Sequence, residues 1–170
     1  MNNDSLRITE IFHSLQGETS TTGFPTVFVR LTGCPLRCVY CDTAYAFEGG
    51  QKMSFDEIFA SVSQHQAKFV TVTGGEPLAQ PQCIPLLKQL CDQGYRVSLE
   101  TSGALSTEEV DSRVVKIVDF KTPASGEMSR KHYENVNYLN SQDEVKFVIC
   151  DRQDYDWCCL QIDHLRLRET

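Results

Sequence analysis

The chain alternates short apolar runs with amphipathic stretches. "TVFVRLTG" (Thr26–Gly33) is rich in β-branched residues and predicts a strand ending at a cysteine loop. "SFDEIFASVSQHQ" (54–66) sets Ile58, Phe59 and Val62 on one helical face, with Ser54 and Glu57 spaced as a capping box. "KFVTVTGGEP" (68–77) predicts a strand running into a glycine loop. "CIPLLKQLCDQG" (83–94) repeats Leu86, Leu87, Leu90 and Cys91 at helical spacing and closes on Gly94. "YRVSLETSG" (95–103) predicts a strand, and "STEEVDSR" (106–113) a short helix capped by Ser106 and Glu109. "VVKIVDFK" (114–121) and "EVKFVICD" (144–151) predict two further strands.

Strands alternate with helices, and the strands read as apolar on both faces, which predicts a parallel sheet covered by helices. Each strand runs straight into polar or glycine-rich residues: "GCPLRCVYC", "TGGEP", "ETSG" and "DFKTPASG". In a βα barrel such loops gather on one rim, where sites are built. No internal repeat or linker divides the 170 residues, so one domain is expected over 1–170.

Composition adds exclusions. The fraction of hydrophobic residues is 41% and of charged residues 23%, ordinary for a soluble globular protein. The formal net charge of −7 argues against a broad phosphate-binding surface, so no direct contact with nucleic acid is expected. "MNNDSLRITE" lacks the apolar core of a signal peptide, and no apolar run approaches the ~18 residues of a membrane span. A cytoplasmic protein without a membrane partner is the expectation.

Eight cysteines are then expected as thiols, metal ligands or catalysts rather than disulfides. Cys83, Cys91 and Cys150 read as buried small hydrophobes. Cys34, Cys38 and Cys41 stand at i, i+4 and i+7 in one compact loop. Structural zinc takes four ligands, usually from two separated pairs, and here His13 or another distant residue would have to complete the set. An iron–sulfur cluster is held by closely spaced thiolates, and three of them would leave one iron of a [4Fe–4S] cluster open to a small molecule. A zinc-stabilised, non-enzymatic binding module is the alternative on these residues.

Cys34-x3-Cys38-x2-Cys41, with Tyr40 before the last cysteine and "GGEP" (Gly74–Pro77) after a strand, resembles the radical S-adenosylmethionine (SAM) enzymes. "FHSLQGE" (12–18), "VRLTGCPLRCVYCDT" (29–43), the "VTGGEP" region (Val72–Pro77) and "ETSG" (100–103) together resemble the 7-carboxy-7-deazaguanine synthases, over about residues 5–157. A glycyl-radical-enzyme activase, which shares the cysteine spacing, is the second enzymatic alternative; "LQGE" and "CDT" match the deazapurine family better.

The resemblance implies an α/β fold: a partial (β/α)6 TIM-like barrel of the radical SAM type, cut short at the C-terminus. It implies a carbon–nitrogen lyase that converts 6-carboxy-5,6,7,8-tetrahydropterin to 7-carboxy-7-deazaguanine with loss of ammonia, for queuosine and related tRNA bases. In that reaction SAM occupies the open iron and yields a 5′-deoxyadenosyl radical that takes hydrogen from the substrate. Implied cofactors are the [4Fe–4S] cluster with three cysteine ligands and one exchangeable iron, SAM and Mg2+. Implied partners are the small pterin substrate, a reductant such as a flavodoxin, and a second copy of the chain in a homodimer.

Residue roles follow from the same resemblance. Cys34, Cys38 and Cys41 would hold the cluster. Tyr40, Cys41, Asp42, Gly75, Glu76, Glu100, Ser102, Asp119, Phe120 and Lys121 would contact SAM, with Glu76 accepting from its ammonium. Thr43 would bind Mg2+ through oxygen, as a hard cation prefers. Leu15, Gln16, Gly17, Arg30 and Thr73 would contact substrate, Arg30 as the partner of its carboxylate. Without the resemblance, Thr43 reads as a loop hydroxyl, Gln16 and Gly17 as a turn, and Arg30 as a strand arginine facing solvent.

Two places depart from the family. "DFK" (119–121) stands where a Ser-Pro-Lys loop is usual, so that only the lysine agrees. The tail "CCLQIDHLRLRET" (158–170), with its paired Cys158 and Cys159, has no counterpart. Losing family material there would expose an edge of the last predicted strand.

Overall fold

The computed structural model describes residues 4–130 and 132–167. Its strands are β1 (Ser5–Leu15), β2 (Pro25–Leu31), β3 (Gln51–Ser54), β4 (Phe69–Gly74), β5 (Arg96–Thr101), β6 (Val115–Asp119) and β7 (Glu144–Lys146). Its helices are α1 (Phe55–Ser63), α2 (Cys83–Asp92) and α3 (Arg152–His164). They form one seven-stranded sheet in the order β3-β1-β2-β4-β5-β6-β7.

From β2 to β7 every neighbouring pair is parallel, as the strand–helix alternation predicts. The sheet coils as a partial barrel, with β1 and β3 adding an antiparallel margin that the hydrophobic pattern had not signalled. Val27, Val29, Leu31, Val70, Val72, Val97 and Leu99 send one face outward into the core beneath α1 and α2. α1 begins on the expected capping box: the Ser54 hydroxyl accepts from the Glu57 amide, and the Glu57 carboxylate accepts from the Ser54 amide. α2 ends just before Gly94, whose φ of +89° is a left-handed conformation glycine adopts without strain.

The second face of the strands corrects the expectation that both faces are apolar. Parallel registers align Arg30 with Thr73, Glu100 with Ile117, Ile117 with Glu144, and Asp119 with Lys146. Because side chains alternate, these positions share the inner face of the barrel, and most of them are polar. A polar inner wall suits a solvated site rather than a second core.

Three further expectations change. Residues 106–113 form turns, not a helix: Ser106 accepts from Glu108, while Asn135 captures the Thr107 amide at 2.9 Å. β7 stops at Lys146 rather than Asp151, and beyond it the Thr122 hydroxyl takes the Val148 carbonyl at 2.9 Å in place of a ladder bond. The tail forms the end of α3 and buries Cys158, while residues 168–170 lie outside the described residues. Cys83 is buried as expected, Cys91 half-buried, and Cys150 exposed. Among the described residues no helix is long and apolar enough to cross a membrane.

Candidate active site

The loops after β2 and β4 interlock at the rim. Gly33 turns the chain out of β2 with φ of +98°, and its carbonyl accepts from the Glu76 amide at 2.8 Å. A Cβ on Gly75 would stand 2.2 Å from the Gly33 oxygen and 2.8 Å from the Cys34 Cβ, so only glycine permits this approach. Cys34 thereby begins its loop against the GGEP turn.

The rest of the cysteine loop is held from outside. Arg37 donates to the carbonyls of Cys34 and Leu36, both at 2.7 Å, and its guanidinium lies 4.2 Å from the Phe47 ring centre. The Arg37 amide donates to Glu127 at 2.6 Å and the Val39 amide to the Ser125 carbonyl at 3.0 Å. These bonds leave Cys34, Cys38 and Cys41 as free thiols lining a cleft of about 500 Å³. Burial pushes the thiols of Cys34 and Cys38 up, and the positive charge of Lys121 works against that rise at both.

Of the residues expected at the site, Gln16, Gly17, Arg30, Tyr40, Asp42, Thr43, Thr73, Gly75, Glu100, Ser102, Asp119 and Lys121 also line this cleft. Glu100 accepts from the Thr73 hydroxyl at 2.9 Å and from the Gln16 amide at 3.3 Å, which ties β1, β4 and β5 together on the inner wall. Lys121 donates to Asp119 at 2.8 Å and lies 5.9 Å from the Tyr40 ring centre. Burial disfavours the Lys121 charge, but Asp119 beside it more than offsets this and holds its pKa above the ordinary value. One Asp119 oxygen is buried without a hydrogen-bond partner among the described residues. Buried polar atoms of this kind call for a bound group.

Three expected residues lie off the cleft. Leu15 is 61% exposed, at the end of β1. Phe120 is fully buried and packs edge-on against Tyr133 and Phe147, because the strand that points Asp119 inward points its neighbour outward. Glu76 is fully buried behind the wall, where its carboxylate accepts from the Thr101 and Ser102 hydroxyls and the amides of Leu78 and Ser102. It ties the loop after β4 to the loop after β5.

Sequence reasoning missed Phe12, Glu18 and Lys146, all of which border the cleft. Lys146 was legible in principle, since it holds the same register position on β7 as Asp119 on β6. It pairs with Glu18 of the β1–β2 loop, and Glu144 accepts from the Ser20 amide at 3.0 Å and hydroxyl at 2.6 Å. These contacts form a strap across the cleft mouth.

The radical SAM superfamily model matches residues 28–119. Over 154 residues the chain is 52% identical to the 7-carboxy-7-deazaguanine synthase of Koribacter versatilis, covering 89% of this chain and 68% of that protein. To the synthase of Chlorobaculum tepidum it is 47% identical over 155 residues, covering 89% and 70%. QueE from Escherichia coli shares its fold, with a TM-score of 0.66, 21% identity, and 94% and 90% of the two chains covered. The chain belongs to the radical SAM 7-carboxy-7-deazaguanine synthase family.

Membership in this synthase family brings a [4Fe–4S] cluster and SAM, and the residues present fit both. Among the described residues no three His, Cys, Asp or Glu side chains converge as ligands of a single metal ion. Cys34, Cys38 and Cys41 line one cleft together as free thiols, the closely spaced thiolate set that holds an iron–sulfur cluster. His13, the distant zinc ligand considered above, pairs with Val27 toward the far end of β2 and stacks on His65 with ring centres 5.5 Å apart. The orphaned Asp119 oxygen belongs to a residue that lines the same cleft as the cysteines, where SAM has polar atoms to offer.

Proposed function

We propose that this cleft binds 6-carboxy-5,6,7,8-tetrahydropterin between the cysteine wall and the inner faces of β1, β2, β4 and β5, for conversion to 7-carboxy-7-deazaguanine. One observation carries the reading. A single cleft is lined both by three thiols and by Gln16, Arg30, Thr73 and Glu100. Cys34, Cys38 and Cys41 would hold the cluster, which would supply the electron for reductive cleavage of SAM.

The chain's own residues bind and orient. Tyr40, Asp42, Ser102, Asp119 and Lys121 border the space for SAM, and Gly75 lets the backbone approach it closely. Glu76 acts from behind, fixing Thr101 and Ser102. Gln16 and Thr73 donate to Glu100, so that these three polar groups form one preset surface for the heteroatoms of the pterin. Arg30 offers a planar cation to the substrate carboxylate. Thr43, whose hydroxyl donates to Asp42 at 2.7 Å, would supply a protein oxygen for Mg2+, a hard cation that prefers oxygen ligands. An external reductant such as a flavodoxin and a second copy of the chain complete the reading, on the strength of the family resemblance.

The test is an anaerobic assay of chain reconstituted with iron and sulfide, with SAM, Mg2+, a reductant and 6-carboxytetrahydropterin. The expected product is 7-carboxy-7-deazaguanine by mass spectrometry, with less formed when Mg2+ is withheld. Cleavage of SAM without that product would overturn the substrate assignment.

A further inference from the structure

Arg30 is set in a frame that none of the assigned roles explains. Between Ile8 and Glu10 the pairing of β1 with β2 shifts register: Ile8 faces Leu31, yet Glu10 faces Arg30. One extra residue, Thr9, is absorbed there, and its hydroxyl meets that of Thr32 at 2.7 Å. Without this bulge Thr9 would oppose Arg30, and the rest of β1 would present its other face to the cleft. With it, Glu10 and Phe12 join Arg30 and Phe28 on the inner face.

The contacts that result are specific. Arg30 Nε donates to Glu10 Oε1 at 2.8 Å, and the Tyr45 hydroxyl donates to the same oxygen at 2.7 Å. The guanidinium carbon lies 5.7 Å from the Phe12 ring centre and 5.9 Å from that of Tyr45. Phe12 is itself stacked on Phe28, 5.0 Å between centres with 10° between planes. The Arg30 side chain is 16% exposed, and its two terminal nitrogens have no partner among the described residues. A guanidinium fixed through Nε and held beside two rings keeps the edge that binds a carboxylate in two parallel bonds.

We propose that Glu10, Tyr45 and Phe12 are positioning residues that hold Arg30 as a preset fork for the substrate's 6-carboxylate, and so make the cleft selective for carboxylated pterins. This rests on the assignment of Arg30 to that carboxylate. The carboxylate of Glu10 makes the inference discriminating. Simple electrostatics says that a negative residue beside the binding cation weakens the binding of an anion, whereas positioning says that removing it weakens binding further.

The test uses cluster-loaded enzyme with SAM, and titrates 6-carboxypterin and unsubstituted pterin, both oxidised and unreactive, by their fluorescence. The readout is the ratio of the two affinities, which a general loss of folding does not move selectively. Arg30→Gln should abolish the preference for the carboxylated ligand; if the preference survives, the Arg30 assignment itself fails. Given an Arg30 effect, Glu10→Ala should lower the ratio about tenfold, the scale of one charged hydrogen bond. Glu10→Gln, which keeps an accepting oxygen, should restore most of it. Tyr45→Phe, at a position 59% exposed where folding is secure, should lower it several-fold. An unchanged or raised ratio in Glu10→Ala and Tyr45→Phe, with Arg30→Gln still defective, would overturn the positioning role.

Discussion

Gly75 does its work by lacking an atom. Its Cα lies where any side chain would strike the Gly33 carbonyl, fixed by backbone bonds on both sides of that residue, and the Cys34 Cβ, whose own carbonyl is held by the Arg37 guanidinium. Gly75→Ala therefore has no rotamer to escape into, and Cys34 must move. We expect the variant to fold but to hold a small fraction of the wild-type iron after reconstitution, measured as iron per chain and visible absorbance. Gly17→Ala is the contrast, because a Cβ there meets nothing within 4 Å, and its iron content should match wild type. The cysteine spacing and the glycine pair were legible in the sequence because cluster chemistry and close approach each require one residue type. Glu10 was not legible: its partner depends on a bulge of one residue, and no composition signal marks that bulge.

At the scale of elements, α3 is anchored by a buried carboxylate. Asp154 accepts from the Ala124 amide at 3.0 Å, the Cys150 amide at 3.0 Å and the Thr122 hydroxyl at 3.1 Å, binding the helix to the loop after β6. Burial alone would raise its pKa, but these hydrogen bonds outweigh burial and hold it below the ordinary value. A carboxylate depressed in the folded state stabilises fully above its unfolded pKa of about 4, and the contribution is lost as pH falls through the folded value. The gap in melting temperature between wild type and Asp154→Asn, measured on cluster-free chain, should thus be full at about pH 6 and narrow below about pH 4. The capping box at Ser54 and Glu57 formed as its sequence predicts, while the same spacing at Ser106 and Glu109 did not. The difference is tertiary: Asn135 offers the Thr107 amide a buried acceptor that no local pattern reveals. Alternation, by contrast, could have excluded Phe120 as soon as Asp119 was set facing the cleft.

Across the whole molecule, the barrel is an open sheet whose mouth is crossed by the β1–β2 loop. Lys146 and Glu18 are 34% and 55% exposed, so their pairing contributes at most about 1 kcal/mol to stability. Lys146→Ala should accordingly leave the melting temperature nearly unchanged, yet speed amide exchange in residues 17–23, read by mass spectrometry; an unaltered exchange pattern would show the strap to be incidental. The parallel sheet was legible from strand–helix alternation, but the strap was not, because it joins residues 128 positions apart.

The outer bonds of the cysteine loop have a consequence for the order of events. Arg37 and Val39 are held by Glu127 and Ser125, so the loop takes its shape from a segment that lies far later in the chain. During synthesis from the N-terminus, Cys34, Cys38 and Cys41 emerge while nothing yet exists to arrange them. Before residues 125–127 are in place, the three thiols lack these outer ties. These bonds favour a cluster that seats on an assembled scaffold over one that seeds it. The cysteines come early; their geometry comes last.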